Sequence, residues 1–234
     1  MAMRSRRILH AMGAVVIATG GLLVGAGGPA AAEPCPDAEV VFARGTAEPP
    51  GVGGVGQAFV DSVRAQAGGK NVGVYPVNYA ASGNFDDRME IARTVVDGIR
   101  DERDRVQFMA TNCPDTKLIL GGYSQGAALT GFVTAPNVPP GVPAGLVPAP
   151  LTPDLADHVA AVVLFGKPSG AFLQHYDVPA LEIGPLFADK TLSLCAAGDT
   201  VCEAVPVGGP SLPHALYAVN GMVGEGASFA ASRI

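Results

Sequence analysis

Apolar stretches alternate along this chain with segments that have a four-residue apolar repeat. Five continuous apolar stretches have the length of buried strands, and they occupy residues 38–42, 72–77, 117–120, 159–165 and 191–194. Two other segments repeat their apolar positions every four residues, as on one face of a helix: Val55, Phe59 and Val63, then Ile91, Val95 and Ile99. We interpret both stripes as faces packed on a core. The alternation predicts a three-layer α/β/α sandwich around a mostly parallel, five-stranded sheet.

The connections add two expectations. Residues 136–153 contain seven prolines, which is typical of a surface loop covering part of the body. The apolar positions Leu216, Tyr217 and Val219 predict a terminal helix. About five strands fit, so the predicted sheet is small and little material is left for a large lid.

One serine stands in a context that predicts chemistry. Segment 122–126, Gly-Tyr-Ser-Gln-Gly, follows the third predicted strand and precedes a helix-compatible stretch. In a nucleophile elbow, a serine sits in a strained turn, and glycines two residues on either side let strand and helix approach closely. The segment therefore predicts that Ser124 is a nucleophile at the carboxyl edge of the sheet. An ordinary glycine-rich turn is the alternative for this segment taken alone.

A serine nucleophile needs a base, and three histidines follow the N-terminal region. In enzymes with such an elbow the order along the chain is serine, acid, histidine. His214 fits this order best and precedes the predicted terminal helix, so we expect it on a loop over the sheet edge. His158 and His175 are the alternatives. Base catalysis by His214 predicts an activity that falls in acid, as the imidazole becomes protonated.

The acid of the triad is expected in the loop after the fifth strand. Asp199 lies there between Cys195 and Cys202, where a disulfide would hold a carboxylate at the carboxyl edge of the sheet. Glu203 and Asp189 are the reserves. The other interpretation of Asp199 is a simple turn residue.

Hydrolysis of an acyl group also needs donors for the oxyanion. The backbone N–H of Gln125, directly after the nucleophile, is the first expected donor. The second is Thr46, in the loop after the first strand, through its N–H and also its hydroxyl. Five apolar residues of nearby loops form either an acyl groove or ordinary packing, and the sequence favours neither: Leu186, Phe187, Val205, Val207 and Leu212.

The N-terminal region has the order of a secretory signal peptide. Arg4, Arg6 and Arg7 precede an apolar stretch at 11–24, and small residues follow at 30–32. We predict a signal peptide over residues 1–32 and one domain over 33–234, with an uncleaved membrane anchor as the alternative. The protein is then secreted, extracellular or associated with the cell wall. No stable membrane insertion is expected after cleavage.

The charge of the remaining chain limits its partners. With 21 acidic residues and 12 of the 15 basic ones beyond residue 32, the predicted mature chain has a formal charge of −9. Such a charge repels nucleic acid, so we expect no nucleic-acid partner. We expect the substrate to be an ester or a lipid, presented at an interface between lipid and water. We also expect the protein to be a monomer.

Four cysteines in an exported chain predict two disulfides, and three pairings are formally open. The simplest solution joins Cys195 to Cys202 across a tight loop and leaves Cys35 to pair with Cys113. The cysteines are then explained without a metal. We expect neither a metal nor a cofactor.

Four segments together resemble the cutinase family, in particular the secreted cutinase-like proteins of actinobacteria. They are residues 43–48 (Ala-Arg-Gly-Thr-Ala-Glu), 122–126, the cysteine-closed loop 195–202, and His214. The resemblance covers essentially the whole mature chain. It implies a lidless α/β-hydrolase with Ser124 as nucleophile, His214 as base and Asp199 as acid, and the two disulfide pairs named above.

The chain departs from this family's pattern at Thr46, where the family often has serine, so the added methyl affects the hydroxyl's part in the oxyanion hole. Family enzymes also orient that hydroxyl with a side-chain amide from the region after the second strand, for which Asn84 is the candidate.

The expected function is that of a secreted serine esterase of cutinase, esterase or lipase type, which hydrolyses carboxylic esters through an acyl-enzyme. Two alternatives stay open. One is transfer of the acyl group to an alcohol or lipid acceptor. The other is a catalytically silent binding or antigen-like protein that keeps only the scaffold.

Overall fold

Five parallel strands form one sheet in a computed structural model that describes residues 34–140, 142, 145–204 and 209–234. The strands are β1 (Ala38–Ala43), β2 (Val72–Pro76), β3 (Lys117–Tyr123), β4 (Val159–Phe165) and β5 (Thr191–Leu194). Their order across the sheet is β2-β1-β3-β4-β5. Because β1 and β3 are neighbours, with Ala43 opposite Gly122, the loops that follow them meet at the carboxyl edge.

Helices cover both faces of this sheet. They are α1 (Gly53–Gln66), α2 (Arg88–Asn112), α3 (Gln125–Val133), α4 (Pro153–Ala156), α5 (Gly170–His175), α6 (Leu212–Ala215) and α7 (Met222–Ala231), with a 3₁₀ turn at Ala188–Lys190. Along β1, Val40 and Phe42 pack toward α1 and α7, whereas Val41 and Ala43 pack toward α2 and α3. This alternation follows from the two-residue period of a strand. The predicted three-layer sandwich is confirmed.

The two predicted helix stripes have different environments. Val55, Phe59 and Val63 of α1 are buried in the core, as expected. The stripe on α2 is a core face only in part. Ile99 is buried in the core, as expected. Ile91 and Val95 are half-buried and line a cavity. The side of α2 that meets α3 also carries small or polar residues. Gly98 lies against Leu129, and Glu102 accepts a hydrogen bond from the Thr130 hydroxyl.

The predicted terminal helix begins later than expected. Leu216 and Val219 are exposed in a turn, and only Tyr217 of that group is buried. The helix α7 starts at Met222, after Gly221 with φ +92°, a backbone conformation that favours glycine. His214 itself lies in the short helix α6 rather than on a loop.

Two disulfides cross-link this fold, one across a long stretch of chain and one within a short loop. Cys35 is bonded to Cys113 and Cys195 to Cys202, so the structure has the simplest of the three pairings. Within the described ranges, no helix is both long and apolar enough to cross a membrane. The signal-peptide prediction at 1–32 lies outside the described residues.

Candidate active site

Ser124 occupies a strained turn between β3 and α3. Its backbone has φ +54° and ψ −115°, a region that residues with a side chain rarely adopt. A Cβ on Gly122 would lie 2.3 Å from the carbonyl oxygen of Gly126, and a Cβ on Gly126 would lie 2.0 Å from that of Ala43. Both glycines are therefore required by the close contact of strand, helix and neighbouring strand, and the turn lifts Ser124 above the edge.

His214 and Asp199 continue from this serine in a hydrogen-bonded row. The Nε2 of His214 lies 2.9 Å from the Oγ of Ser124. The Nδ1 of His214 lies 2.9 and 2.8 Å from the two carboxylate oxygens of Asp199. Asp199 is fully buried and His214 is 4% exposed, so both side chains are held away from bulk water.

The loop closed by Cys195 and Cys202 fixes the position of Asp199. The Asp199 N–H donates to the Ala196 carbonyl at 2.9 Å, and the Asp199 Oδ1 accepts from the Val201 N–H at 2.9 Å. This carboxylate therefore turns inward toward the histidine.

The alternative residues lie elsewhere. The carboxylate of Glu203 accepts from the Gly198 N–H at 3.0 Å, and Asp189 is exposed on the 3₁₀ turn before β5. His175 is exposed at the end of α5, and His158 precedes β4.

Tyr217 is a contact of Asp199 that sequence reasoning missed. Its hydroxyl donates to Asp199 Oδ2 at 2.7 Å and accepts from the Ala196 N–H at 2.9 Å. Burial raises the pKa of Tyr217, and the hydrogen bond to Asp199 raises it further, so the phenol stays a donor. Its place three residues after His214 was the available signal, but the sequence suggested only a helix face.

Tyr123 contacts both the backbone and the ring of His214. Its hydroxyl donates to the His214 carbonyl at 2.7 Å, and the two rings lie 5.1 Å apart between centroids. Burial raises the pKa of Tyr123 to about 12, with the charges of Glu48 and Asp199 adding to the effect. The variable position of the serine motif thus carries a side chain that supports His214.

The loop after β1 is folded by its own charged residues. The Arg44 Nε donates to the Glu48 carbonyl at 2.9 Å, and its Nη2 donates to the Tyr79 carbonyl. The Glu48 carboxylate accepts from the Gly45 N–H at 2.6 Å and from the Gly54 N–H at 2.7 Å. Arg44 and Glu48, which the sequence offered only as parts of a motif, therefore set the shape of the loop that carries the predicted oxyanion donor.

Thr46, at the middle of this loop, lines the same cavity as Ser124 and Gln125. Asn84 has another partner than the one expected from the family pattern, because its side-chain amide donates to the Glu90 carboxylate at 2.8 Å. The interpretation of Asn84 as the group that orients Thr46 is therefore not supported by this contact.

A cavity of about 610 Å³ opens beside Ser124. Its walls come from α2, α3, the proline-rich segment and the region from Pro168 to Pro179. Most of the lining side chains are apolar, and they include Val95, Val96, Phe132, Val138, Val147 and Phe172. The volume falls within the range of sites that bury a small molecule.

The five residues suggested for an apolar groove do not line this cavity where they are described. Phe187 is buried in the core, and Leu212 is 71% exposed. Leu186 lines a smaller, separate pocket formed by residues 134–136, 150–151 and 184–187. Val205 and Val207 lie outside the described residues. Among the described residues, no group of three metal-binding side chains is present.

Parallel strands, helices on both faces and a serine lifted above the carboxyl edge by a strained turn are the features of an α/β-hydrolase. The family model described as Cutinase matches residues 34–234. The chain therefore belongs to the cutinase family, and it is a carboxylic ester hydrolase.

Curated relatives from Mycobacterium tuberculosis (strain ATCC 25618 / H37Rv) support this assignment. The chain is 55% identical over 170 residues to "Probable carboxylesterase Culp7", and the matched region covers 73% of this chain and 89% of the relative. It is 45% identical over 231 residues to "Phospholipase Culp4", covering 98% and 93%.

Solved structures share the fold. A Trichoderma reesei cutinase in complex with a phosphonate inhibitor is 30% identical with a TM-score of 0.60, over 85% of this chain and 77% of that one. The catalytic core of acetyl xylan esterase from Trichoderma reesei has a TM-score of 0.67 at 24% identity, over 86% and 100%. The latter likeness shows the fold alone.

Proposed function

We propose that this protein is a secreted serine esterase in which Ser124, His214 and Asp199 form the catalytic triad. The observation that carries the proposal is the hydrogen-bonded row from the Ser124 Oγ through both ring nitrogens of His214 to the Asp199 carboxylate. Its geometry matches the division of roles in a Ser-His-Asp triad. The serine lines an apolar cavity, which supports a site for ester substrates.

The reaction proceeds by two acyl transfers. The Ser124 Oγ attacks the ester carbonyl carbon while the His214 Nε2 takes the hydroxyl proton, and the carbonyl electron pair moves onto oxygen. As the tetrahedral intermediate collapses, the bond to the leaving alcohol breaks and His214 returns the proton to that alcohol. Water then repeats the sequence on the acyl-enzyme and releases the acid. Asp199 stabilises the imidazolium that forms in each half.

The oxyanion would be held by backbone donors from two adjacent loops. Gln125 begins α3, so its N–H is among the free donors of a helix N-terminus. Thr46 follows β1, whose last residue pairs with β3 just before the elbow. Both residues line the cavity together with Ser124, which supports their assignment as donors.

The predicted processing belongs to the same proposal. We assign residues 1–32 to a signal peptide and residues 33–234 to the mature esterase. The start of the family match at residue 34 and the two disulfides support this boundary and an oxidising compartment. The substrate is an ester or lipid, and the enzyme acts as a monomer.

Ser124→Ala tests the triad. Because the nucleophile is lost, kcat for p-nitrophenyl butyrate should fall by about 10⁶-fold, and a fluorophosphonate probe should no longer label the protein. Ser228→Ala, at an exposed position of α7, is the matched control and should keep both activity and labelling. Substantial turnover by folded Ser124→Ala protein would refute the assignment.

A further inference from the structure

The cavity beside Ser124 extends far from the site, along α2. The side-chain amide of Gln125 donates to the Ser82 carbonyl at 3.0 Å, and the Ser82 hydroxyl donates to Glu90, so the first turn of α2 lies at the site. The other end of α2 leads to Cys113, which is bonded to Cys35 just before β1 begins. The helix therefore runs from the carboxyl edge of the sheet to its amino edge.

The length of this cavity follows from the residues of α2 that line it. They begin at Arg88 and end at Arg103, which corresponds to about 22 Å along the helix axis at the rise of an α-helix. The hydrocarbon core of a bilayer is about 30 Å thick and holds two acyl chains end to end, about 15 Å each. A chain in a fluid bilayer is not fully extended, so the lined distance is comparable to the length of one extended membrane-lipid acyl chain.

The outer wall of the cavity is fastened to α2. The Arg100 Nη2 donates to the Leu146 carbonyl at 2.6 Å, and the Arg103 Nε donates to the Ala149 carbonyl at 2.9 Å. These contacts fasten residues 146–149 of the proline-rich segment to α2. The side chain of Val147, between the two anchored carbonyls, lines the cavity. The result is an apolar channel along α2 that has a wall on its outer side and stays partly open to solvent.

Two side-chain contacts cross the cavity close to the active site. The ring of Phe85, just before α2, lies 5.2 Å from that of Tyr176 between centroids, and Arg88 forms an ion pair with Asp177. All four residues line the cavity, so its upper part has side chains on both flanks.

We propose that this channel holds the complete acyl chain of a lipid ester, with its carbonyl carbon at Ser124 and its methyl end toward Arg103. The position of the carbonyl rests on the proposed triad, whereas the binding of the chain rests on the cavity alone. The substrate class is then esters of long, single acyl chains, and the alcohol part stays outside the channel. Each methylene that moves from water into the channel should tighten binding by about fourfold, which favours long chains over short ones.

A direct binding test uses the absence of tryptophan from this chain. Phe132→Trp would place a single tryptophan in the channel wall, and Phe229→Trp would place one at an equally half-buried position of α7, on the other face of the sheet. Both are made with Ser124→Ala to prevent turnover. The titrant is stearic acid carrying a nitroxide near its methyl end, kept below its micelle concentration.

We expect saturable quenching of the tryptophan at position 132 and none at position 229. No quenching at position 132, or equal quenching at both positions, would overturn the proposal. The outcome does not depend on catalysis. The short-ester assay with Ser124→Ala therefore tests the proposed triad, and this quenching experiment separately tests the binding of an acyl chain in the channel.

A selectivity test measures the same channel in the active enzyme. Val95→Trp blocks the channel midway along α2, so the ratio of kcat/KM for p-nitrophenyl palmitate to that for the acetate, in mixed micelles, should fall at least about tenfold, the effect of losing two buried methylenes. Val219→Trp, at a position 77% exposed and outside the channel, should leave the ratio within about twofold. An unchanged ratio in folded Val95→Trp would contradict the proposal, and the quenching test decides the matter if that variant does not fold.

Discussion

Glu102 is a carboxyl group buried inside the core between α2 and α3. Its Oε2 accepts a hydrogen bond from the Thr130 hydroxyl at 2.9 Å, and its Oε1 has no partner among the described residues. Burial, opposed in part by that hydrogen bond, raises the pKa of Glu102 well above its ordinary value. The folded protein therefore keeps a proton on this carboxyl at pH values where the unfolded chain has lost it.

This difference predicts how stability depends on pH. With the folded pKa raised, the contribution of Glu102 is fully present in acid and is lost as pH rises from the unfolded value toward the folded one, by about 1.4 kcal/mol per pH unit. Glu102→Gln removes that titration. In urea titrations its free energy of unfolding, relative to the native protein, should increase as pH rises above about 5, where the unfolded chain has lost this proton. Exposed Glu182→Gln is the control, and parallel pH profiles for Glu102→Gln and native protein would contradict the argument.

Single residues also show where prediction from sequence stops. Ser124, Asp199 and His214 could be named because chain order and the strand-turn-helix context restrict the choice. Tyr217 could not, because its hydrogen bond to Asp199 depends on how the turn after α6 packs against the disulfide loop. Val95 is apolar in either environment, so its spacing alone does not distinguish a core face from a cavity wall.

At the scale of elements, the site depends on three short connections at the carboxyl edge of the sheet. They are the loop after β1, the turn after β3 and the disulfide loop after β5. The first is shaped by Arg44 and Glu48, and the second by the glycines of the elbow. The third encloses Asp199 within a bridge that spans seven positions, which restricts the loop much more than it restricts the whole chain.

Opening that bridge should affect catalysis more than folding. In Cys195→Ser/Cys202→Ser protein, the loop gains freedom and Asp199 loses its fixed position against His214. We expect kcat for a short ester to fall by about 100-fold, the order of effect of a 1 Å misplacement, with the circular dichroism spectrum retained. Unchanged kcat would show that the contacts of Tyr217 and Val201 hold Asp199 without the bridge.

At the scale of the whole molecule, apolar residues have different roles on the two faces of the sheet: on one they form a closed core, and on the other they also line a cavity. The face covered by α1 and α7 is a closed core that includes Phe42, Phe59 and Phe165, with ring centroids 5.4 to 6.4 Å apart. The face covered by α2 and α3 has a core as well, but the outer side of α2 borders the channel. The bridge from Cys35 to Cys113 ties the start of β1 to the end of α2 across 78 positions.

That long bridge should act on stability instead of catalysis. In the loop-entropy model it destabilises the unfolded chain by about 4.5 kcal/mol. Cys35→Ser/Cys113→Ser protein should therefore unfold at a midpoint temperature lower by about 10 °C or more, while kcat at low temperature stays near that of the native enzyme. Calorimetry and a short-ester assay make the comparison. A large fall in kcat with little change in the unfolding temperature would reverse the roles assigned to the two bridges.

The sequence by itself determined the five strands, their parallel sheet and the elbow around Ser124. It could do so because strand character, glycine geometry and the order of serine, acid and histidine are properties of short segments or of chain order. Only the tertiary structure decided that α2 borders a channel, that Tyr217 holds Asp199 and that Glu102 is buried with one partner. Each of these depends on which surfaces distant segments present to one another. The spacing of apolar and polar residues along a helix is the same whether the helix packs against side chains or borders an open cavity.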